Sequence, residues 1–124
     1  MMKGKALFDT NILIDLFNGH REAMSALDAY LPQHAISLVT WMEVMVGAKK
    51  YHQEHQTRMA LSAFNTIGIS QDIAERSVNL RQEFGLKLPD AIILATAQHY
   101  RYEMVTRNTK DFAGIPGVVT PYQF

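Results

Sequence analysis

The chain has 124 residues, no cysteine and a formal net charge of zero, 12 Lys plus Arg against 12 Asp plus Glu. That length implies one domain over residues 1–124, able to bury roughly two thirds of its unfolded-state surface, and the missing cysteine excludes disulfides and thiolate metal sites. A protein that grips nucleic acid by bulk charge alone is basic, so any such contact here must be local or helped by a bound cation.

Lys5–Asp9 reads as a first strand, a short apolar run that stops at Asp9-Thr10-Asn11. Asn11–Phe17 then resumes with helical spacing, and Asn18-Gly19 ends it, with Gly19 suited to a left-handed cap. Ala23, Ala26, Leu27, Tyr30 and Leu31 mark one face of a second helix, closed by Pro32. His34–Val39 is nearly continuously apolar and reads as a second strand. Thr40-Trp41-Met42-Glu43 has the capping-box pattern, a hydroxyl followed three residues later by Glu, and predicts a helix to about Lys50. Gln53–Asn65 is a further helix carrying Met59, Leu61 and Phe64, and Thr66–Ile69 a short third strand. Ser70 caps the next helix, whose inner stripe is Ile73, Ser77, Leu80 and Phe84, and Gly85 stops it. Leu88-Pro89-Asp90 opens a helix that is apolar nearly all round, with Pro89 suited to a first helical position. Glu103–Thr106 is the fourth strand, Arg107–Gly117 a polar loop and Val118–Pro121 a short edge strand.

Strands alternating with helices predict a three-layer α/β/α sandwich around a parallel sheet of four to five strands. In such sheets the first and fourth strands often lie side by side, and chemistry gathers outside the carboxyl ends of the strands. Asp9 ends the first strand. Glu43 and Asp90 sit in first turns of helices, and Asp111 follows the fourth strand. Each has a bland explanation. Asp9 caps a helix, Glu43 completes a capping box, Asp90 complements a helix dipole and Asp111 is a loop acid. Four together at one rim make a poor structural design, because clustered carboxylates repel and raise one another's pKa. A hard divalent cation removes that conflict. With oxygen ligands only, Mg²⁺ or Mn²⁺ is favoured, which suits phosphate chemistry. His52 and His55 read as solvated surface.

Phe8-Asp9-Thr10-Asn11, Thr40 through Gly47, Leu88 through Ala97 and Val105 through Phe112 together, in that order, resemble a PIN domain. The subgroup they are most similar to is the VapC-type toxin ribonucleases of toxin–antitoxin pairs. The resemblance implies that Asp9, Glu43 and Asp90 hold Mg²⁺ or Mn²⁺, with Thr10 and Thr106 lining the pocket and Asn11 shaping the loop. Many relatives carry an acid where this chain has Asn108; the fourth acid is assigned to Asp111, which leaves one or two metals open. The implied activity is hydrolysis of RNA phosphodiesters to 5′-phosphate and 3′-hydroxyl ends, with Glu43 or Asp90 orienting the water; the expected home, read from the missing cysteine and secretory segment, is the cytoplasm. The implied partners are RNA, a cognate antitoxin and a second copy of the chain.

Arg107 and Lys110 beside the site, and Lys49, Lys50 and Arg58 on the helical arm, are the candidate RNA-backbone cations. Trp41, Met42 and Met45 are either core or a partner surface. No apolar run approaches the ~18 residues of a membrane helix, and the opening residues lack the apolar segment of a secretory signal, so no membrane contact is expected. A haloacid-dehalogenase-like phosphatase would need a second acid two residues after Asp9, where Asn11 stands. A receiver-type domain would place its acceptor acid further along. The non-enzymatic alternative is a catalytically idle PIN-like module that binds RNA or protein without cutting.

Overall fold

A computed structural model describes residues 2–124. Five strands, β1 (Ala6–Phe8), β2 (Ala35–Ser37), β3 (Asn65–Ile67), β4 (Glu103–Val105) and β5 (Val118–Val119), form one sheet in the order β3-β2-β1-β4-β5. Every pairing is parallel, and β1 lies directly against β4 with Phe8 opposite Val105. The five carboxyl ends therefore share one rim, as the alternating pattern predicts.

Among the described residues six helices cover the sheet: α1 (Thr10–Phe17), α2 (Arg21–Asp28), α3 (Leu38–Lys50), α4 (Glu54–Leu61), α5 (Gln71–Phe84) and α6 (Leu88–Tyr100). The two-residue period of the strands sorts the core into two halves. Leu7, Ala35 and Met104 face one cluster with Ile73 and Leu80 of α5 and Ile93 and Leu94 of α6. Ala6, Phe8, Ile36 and Val105 face the other, with Ile12 and Leu13 of α1, Leu27 of α2 and Val44 of α3. The sandwich is thus three-layered. Among the described residues no helix is long and apolar enough to cross a membrane.

Several boundaries differ from the sequence reading. The second strand stops at Ser37, and Leu38 and Val39 open α3 instead of ending β2. A short apolar run fits strand or buried helix equally. The Ser37 hydroxyl, which accepts the Val39 N–H at 3.1 Å, decides the matter. Thr40 is therefore buried inside α3 and is not its cap, and the Thr40–Glu43 capping box does not form. Ser37→Ala should lower stability by about 1 kcal/mol, read from the midpoint of urea unfolding. An unchanged midpoint would count against this cap.

The second helix ends at Asp28. Tyr30 lies beyond it, bridged to Lys3, with its hydroxyl donating to Glu103 at 3.1 Å. Burial, helped by that carboxylate, pushes the Tyr30 phenol up to about 12. Leu31, expected on the marked face of the second helix, and Phe84, expected on an inner stripe, are both exposed. Ser70 caps α5 and Gly85 closes it at φ 67°, as the sequence predicts, while α6 opens at Leu88 with Pro89 as its second residue.

Candidate acidic site at the carboxyl rim

Asp9 is held by the junction of strand and helix. Its N–H donates to the Val105 carbonyl at 2.9 Å, extending the pairing of β1 with β4. Its side chain caps α1, with Oδ1 accepting the Thr10 N–H at 2.8 Å. Oδ2 accepts the Thr106 hydroxyl at 2.8 Å and lies 3.5 Å from Asn11 Nδ2. Capping thus explains part of Asp9, but it accounts for only one carboxyl oxygen.

The Thr106 hydroxyl is fully buried and fully used. It donates to Asp9 and accepts from the Asn108 N–H at 3.0 Å and from Asn11 Nδ2 at 3.3 Å. Asn11 Oδ1 accepts the Arg107 N–H at 3.1 Å. Asn11 therefore ties α1 to the loop after β4.

Glu43 is exposed on α3, and its Oε1 accepts the Thr10 hydroxyl at 2.6 Å. A hydroxyl has one proton. Because the charged acceptor takes it, the 3.1 Å contact between the Thr10 and Thr40 hydroxyls is donated by Thr40. With the capping box gone, Glu43 has no structural duty at the start of α3. Asp90 sits half-buried in the first turn of α6, and Asp111 is exposed in the loop after β4. Asn108 pins Asp111: Nδ2 donates to its carboxylate at 2.9 Å, and Oδ1 accepts its N–H at 3.0 Å.

The four acids feel one another. Burial, and then the charges of Asp90 and Glu43, push Asp9 from its ordinary 3.8 to about 6, against the opposing pull of its Thr106 and Thr10 hydrogen bonds. Burial likewise raises Asp90, with the charges of Asp111 and Glu43 adding to it and Lys87 opposing. Among the described residues the one ion pair is Arg107–Asp15, so no Lys or Arg pairs with a rim acid.

In donor chemistry and charge this set fits a hard divalent cation. In geometry, no three of the described His, Cys, Asp or Glu side chains converge as a metal-binding group. Three of the four carboxylates are instead taken up by protein donors: Thr106 on Asp9, Thr10 on Glu43 and Asn108 on Asp111. The repulsion that remains is the unbalanced charge a cation would relieve.

The candidate RNA cations divide. Arg107 gives Nε to Asp15 Oδ2 at 2.7 Å and Nη2 to Oδ1 at 3.2 Å, so most of its guanidinium is already engaged. Lys110 is exposed beside Asp111. Arg58 lies over the Trp41 ring at 5.4 Å and Lys50 over Tyr51 at 5.5 Å, while Lys49 is exposed at the end of α3. Trp41 is half-buried, Met42 exposed and Met45 buried. They line a groove of about 360 Å³ with Val46 and Arg58.

Two residues near the site, Asp15 and Tyr122, are not singled out by the sequence patterns above. Asp15 is 4% exposed. It lies one turn after Ile12, on the inward stripe of an apolar helix. A charge on such a stripe needs a partner, and that is the signal that could have found it.

A parallel α/β/α sandwich with acids at the carboxyl ends of β1 and β4, where open α/β sheets place their binding sites, is the class of fold this geometry defines. A family model described as PIN domain matches residues 6–118, and the chain belongs to the PIN domain family. It is 79% identical to a chain of a toxin-antitoxin complex from Klebsiella pneumoniae, covering 97% of this chain and 100% of that one, with a TM-score of 0.94. VapBC2 from Rickettsia felis, bound to a DNA fragment from its promoter, is 22% identical over 96% of this chain and 98% of that one, TM-score 0.77. FitAcB from Neisseria gonorrhoeae is 21% identical over 94% and 97%, TM-score 0.78. The last two share the fold. No curated protein matches significantly.

Proposed function

We propose that this chain is the toxin of a toxin–antitoxin pair and acts as a metal-dependent endoribonuclease, leaving 5′-phosphate and 3′-hydroxyl ends. The observation that carries the reading is Asp9. It is a carboxylate only 5% exposed, at the meeting of two central strands, its pKa raised by burial and further by two acids, and paired with no cation among the described residues. The 79% identity to a chain of a toxin-antitoxin complex supports the biological role.

Asp9, Glu43 and Asp90 would hold Mg²⁺ or Mn²⁺, with Asp111 adding the fourth charge. When bound, such an ion supplies Lewis-acid stabilisation of phosphoryl oxygens and a more acidic water. The chain's own groups do the rest. Thr106 and Asn11 hold the Asp9 carboxylate in one orientation, and Thr10 does the same for Glu43. Glu43, which reaches solvent, or Asp90, which is half-exposed, would orient the incoming water. Lys110, Lys49 and the free part of Arg58 are placed for RNA phosphates. The half-open apolar groove of Trp41, Met42 and Met45 suits the antitoxin, and a homodimer completes the assembly.

The test is cleavage of a mixed RNA pool with Mg²⁺, with EDTA, and with Asp90→Asn, the new 5′ ends being sequenced. Cleavage that persists in EDTA would remove the metal from the proposal. A binding test accompanies it. An ion that binds only the folded state should stabilise wild-type protein by about 1.4 kcal/mol at ten times its Kd. The gain should vanish in Asp90→Asn. An RNA-binding module without activity would instead retain RNA and leave it whole.

A further inference from the structure

We propose that Asp15 and Tyr122 are positioning residues for the Asp9 carboxylate, acting through Arg107 as a latch between the carboxy-terminal segment, α1 and the loop after β4. The proposal rests on the nuclease reading above.

The latch is built from distances. The Asp15 carboxylate accepts Arg107 Nε at 2.7 Å and Nη2 at 3.2 Å, and its Oδ2 also accepts the Tyr122 hydroxyl at 2.7 Å. Two parallel bonds from a planar fork fix the orientation of the arginine as well as its distance. Phe124 closes the open side, its ring centroid 5.0 Å from the guanidinium carbon, and Tyr122 packs beside it at 5.3 Å. Both phenol and guanidinium respond. Burial and the Asp15 bond raise Tyr122, and the Asp15 bond raises Arg107.

From the latch, bonds run directly to the acid. The Arg107 backbone N–H is given to Asn11 Oδ1 at 3.1 Å. Asn11 Nδ2 reaches Thr106 Oγ1 at 3.3 Å, and the Thr106 hydroxyl donates to Asp9 at 2.8 Å. Arg107 follows Thr106 directly in the chain. A shift of the arginine therefore moves both side chains that orient Asp9. A buried ion pair is often no more stabilising than apolar residues of the same volume. Stability by itself gives this pair no reason to be ionic, whereas fixing a loop against a helix does. Catalytic groups tolerate displacements of only about 0.5 Å.

Neither residue touches the acids, so the test needs readouts that a merely structural role would not move. Tyr122→Phe removes one oxygen and keeps the ring on Phe124. In the full chain it should speed hydrogen exchange of the Arg107 amide, followed by NMR, about tenfold. With Mg²⁺ and RNA it should lower kcat about tenfold and leave KM within twofold. Arg107→Lys keeps the charge but loses the fork, and should lower kcat in the same way.

Unchanged Arg107 exchange in Tyr122→Phe would overturn the latch. Faster exchange with unchanged kcat would overturn the positioning role. Should wild-type protein cut no RNA with any metal, the nuclease reading falls by itself. The exchange experiment then decides the latch alone: faster exchange together with shifted Asn11 side-chain amide signals upholds it, and wild-type values sink it.

Discussion

Asp9→Asn should yield a protein that is more stable and no longer cuts RNA. The carboxylate is buried, and its pKa rises from 3.8 to about 6 on folding. Such a group favours the folded state fully below pH 3.8, and that contribution is lost as pH rises through about 6. At neutral pH the folded, metal-free protein therefore carries the whole penalty of the buried charge, roughly 3 kcal/mol. Asn keeps the shape and can still accept the Thr10 N–H as cap; its amide can donate to Thr106 only by displacing Asn11 Nδ2 from an oxygen that already accepts two bonds, which offsets part of the gain. The melting temperature at about pH 7.5 without metal should rise by several degrees. The fall in stability between about pH 4 and 6 should shrink. RNA cleavage should drop by at least about 100-fold, the scale of losing a group that acts on the transition state. Retained cleavage, or a lower melting temperature together with an unchanged pH profile, would refute this account of Asp9.

Arg107→Ala should destabilise the protein by about 3 kcal/mol, the lower end of the range for stranding a buried charge, since the arginine side chain is 33% exposed. Asp15 would keep only the Tyr122 hydroxyl. Lys110→Ala, at an exposed loop position, should stay within about 0.5 kcal/mol of wild type. It should instead flatten the salt dependence of RNA binding by roughly one phosphate contact. Urea unfolding and a salt titration on both variants separate the two roles. An Arg107→Ala protein of wild-type stability with weakened, less salt-sensitive RNA binding would return Arg107 to the RNA surface.

The frame of this molecule was readable because its signals are local. An apolar triplet ending at Asp9, a helix opened by Leu88-Pro89-Asp90, and glycines at positions 19 and 85 each declare a boundary within a few residues. That the acids share one rim was readable too, because parallel strands put all their carboxyl ends on one side; that their side chains do not close into a three-carboxylate group was not. The β2–α3 junction was not. Ser37 and Thr40 are both plausible caps, the residues between them suit strand or helix, and the choice of Ser37 shows only in the folded chain, where its hydroxyl accepts the Val39 N–H and Val39 joins the core that holds Leu7 and Ala35. That choice changed the meaning of Glu43, from a capping residue to a carboxylate held by Thr10. The latch lay further out of reach: Asp15 and Tyr122 are 107 positions apart, and no periodicity links them. The exposed Phe84 shows the same limit, since helical spacing identifies a stripe without saying what covers it.

The strands that carry the rim are two or three residues long. A sheet with so few rungs lends little stiffness to what projects from its ends. Alignment of the carboxylates is therefore borrowed from hydroxyls and amides: Thr10 for Glu43, Asn11 and Thr106 for Asp9, Asn108 for Asp111. Trimming one hydroxyl or one amide from those four side chains would blur the acids more than loosening an entire outer strand.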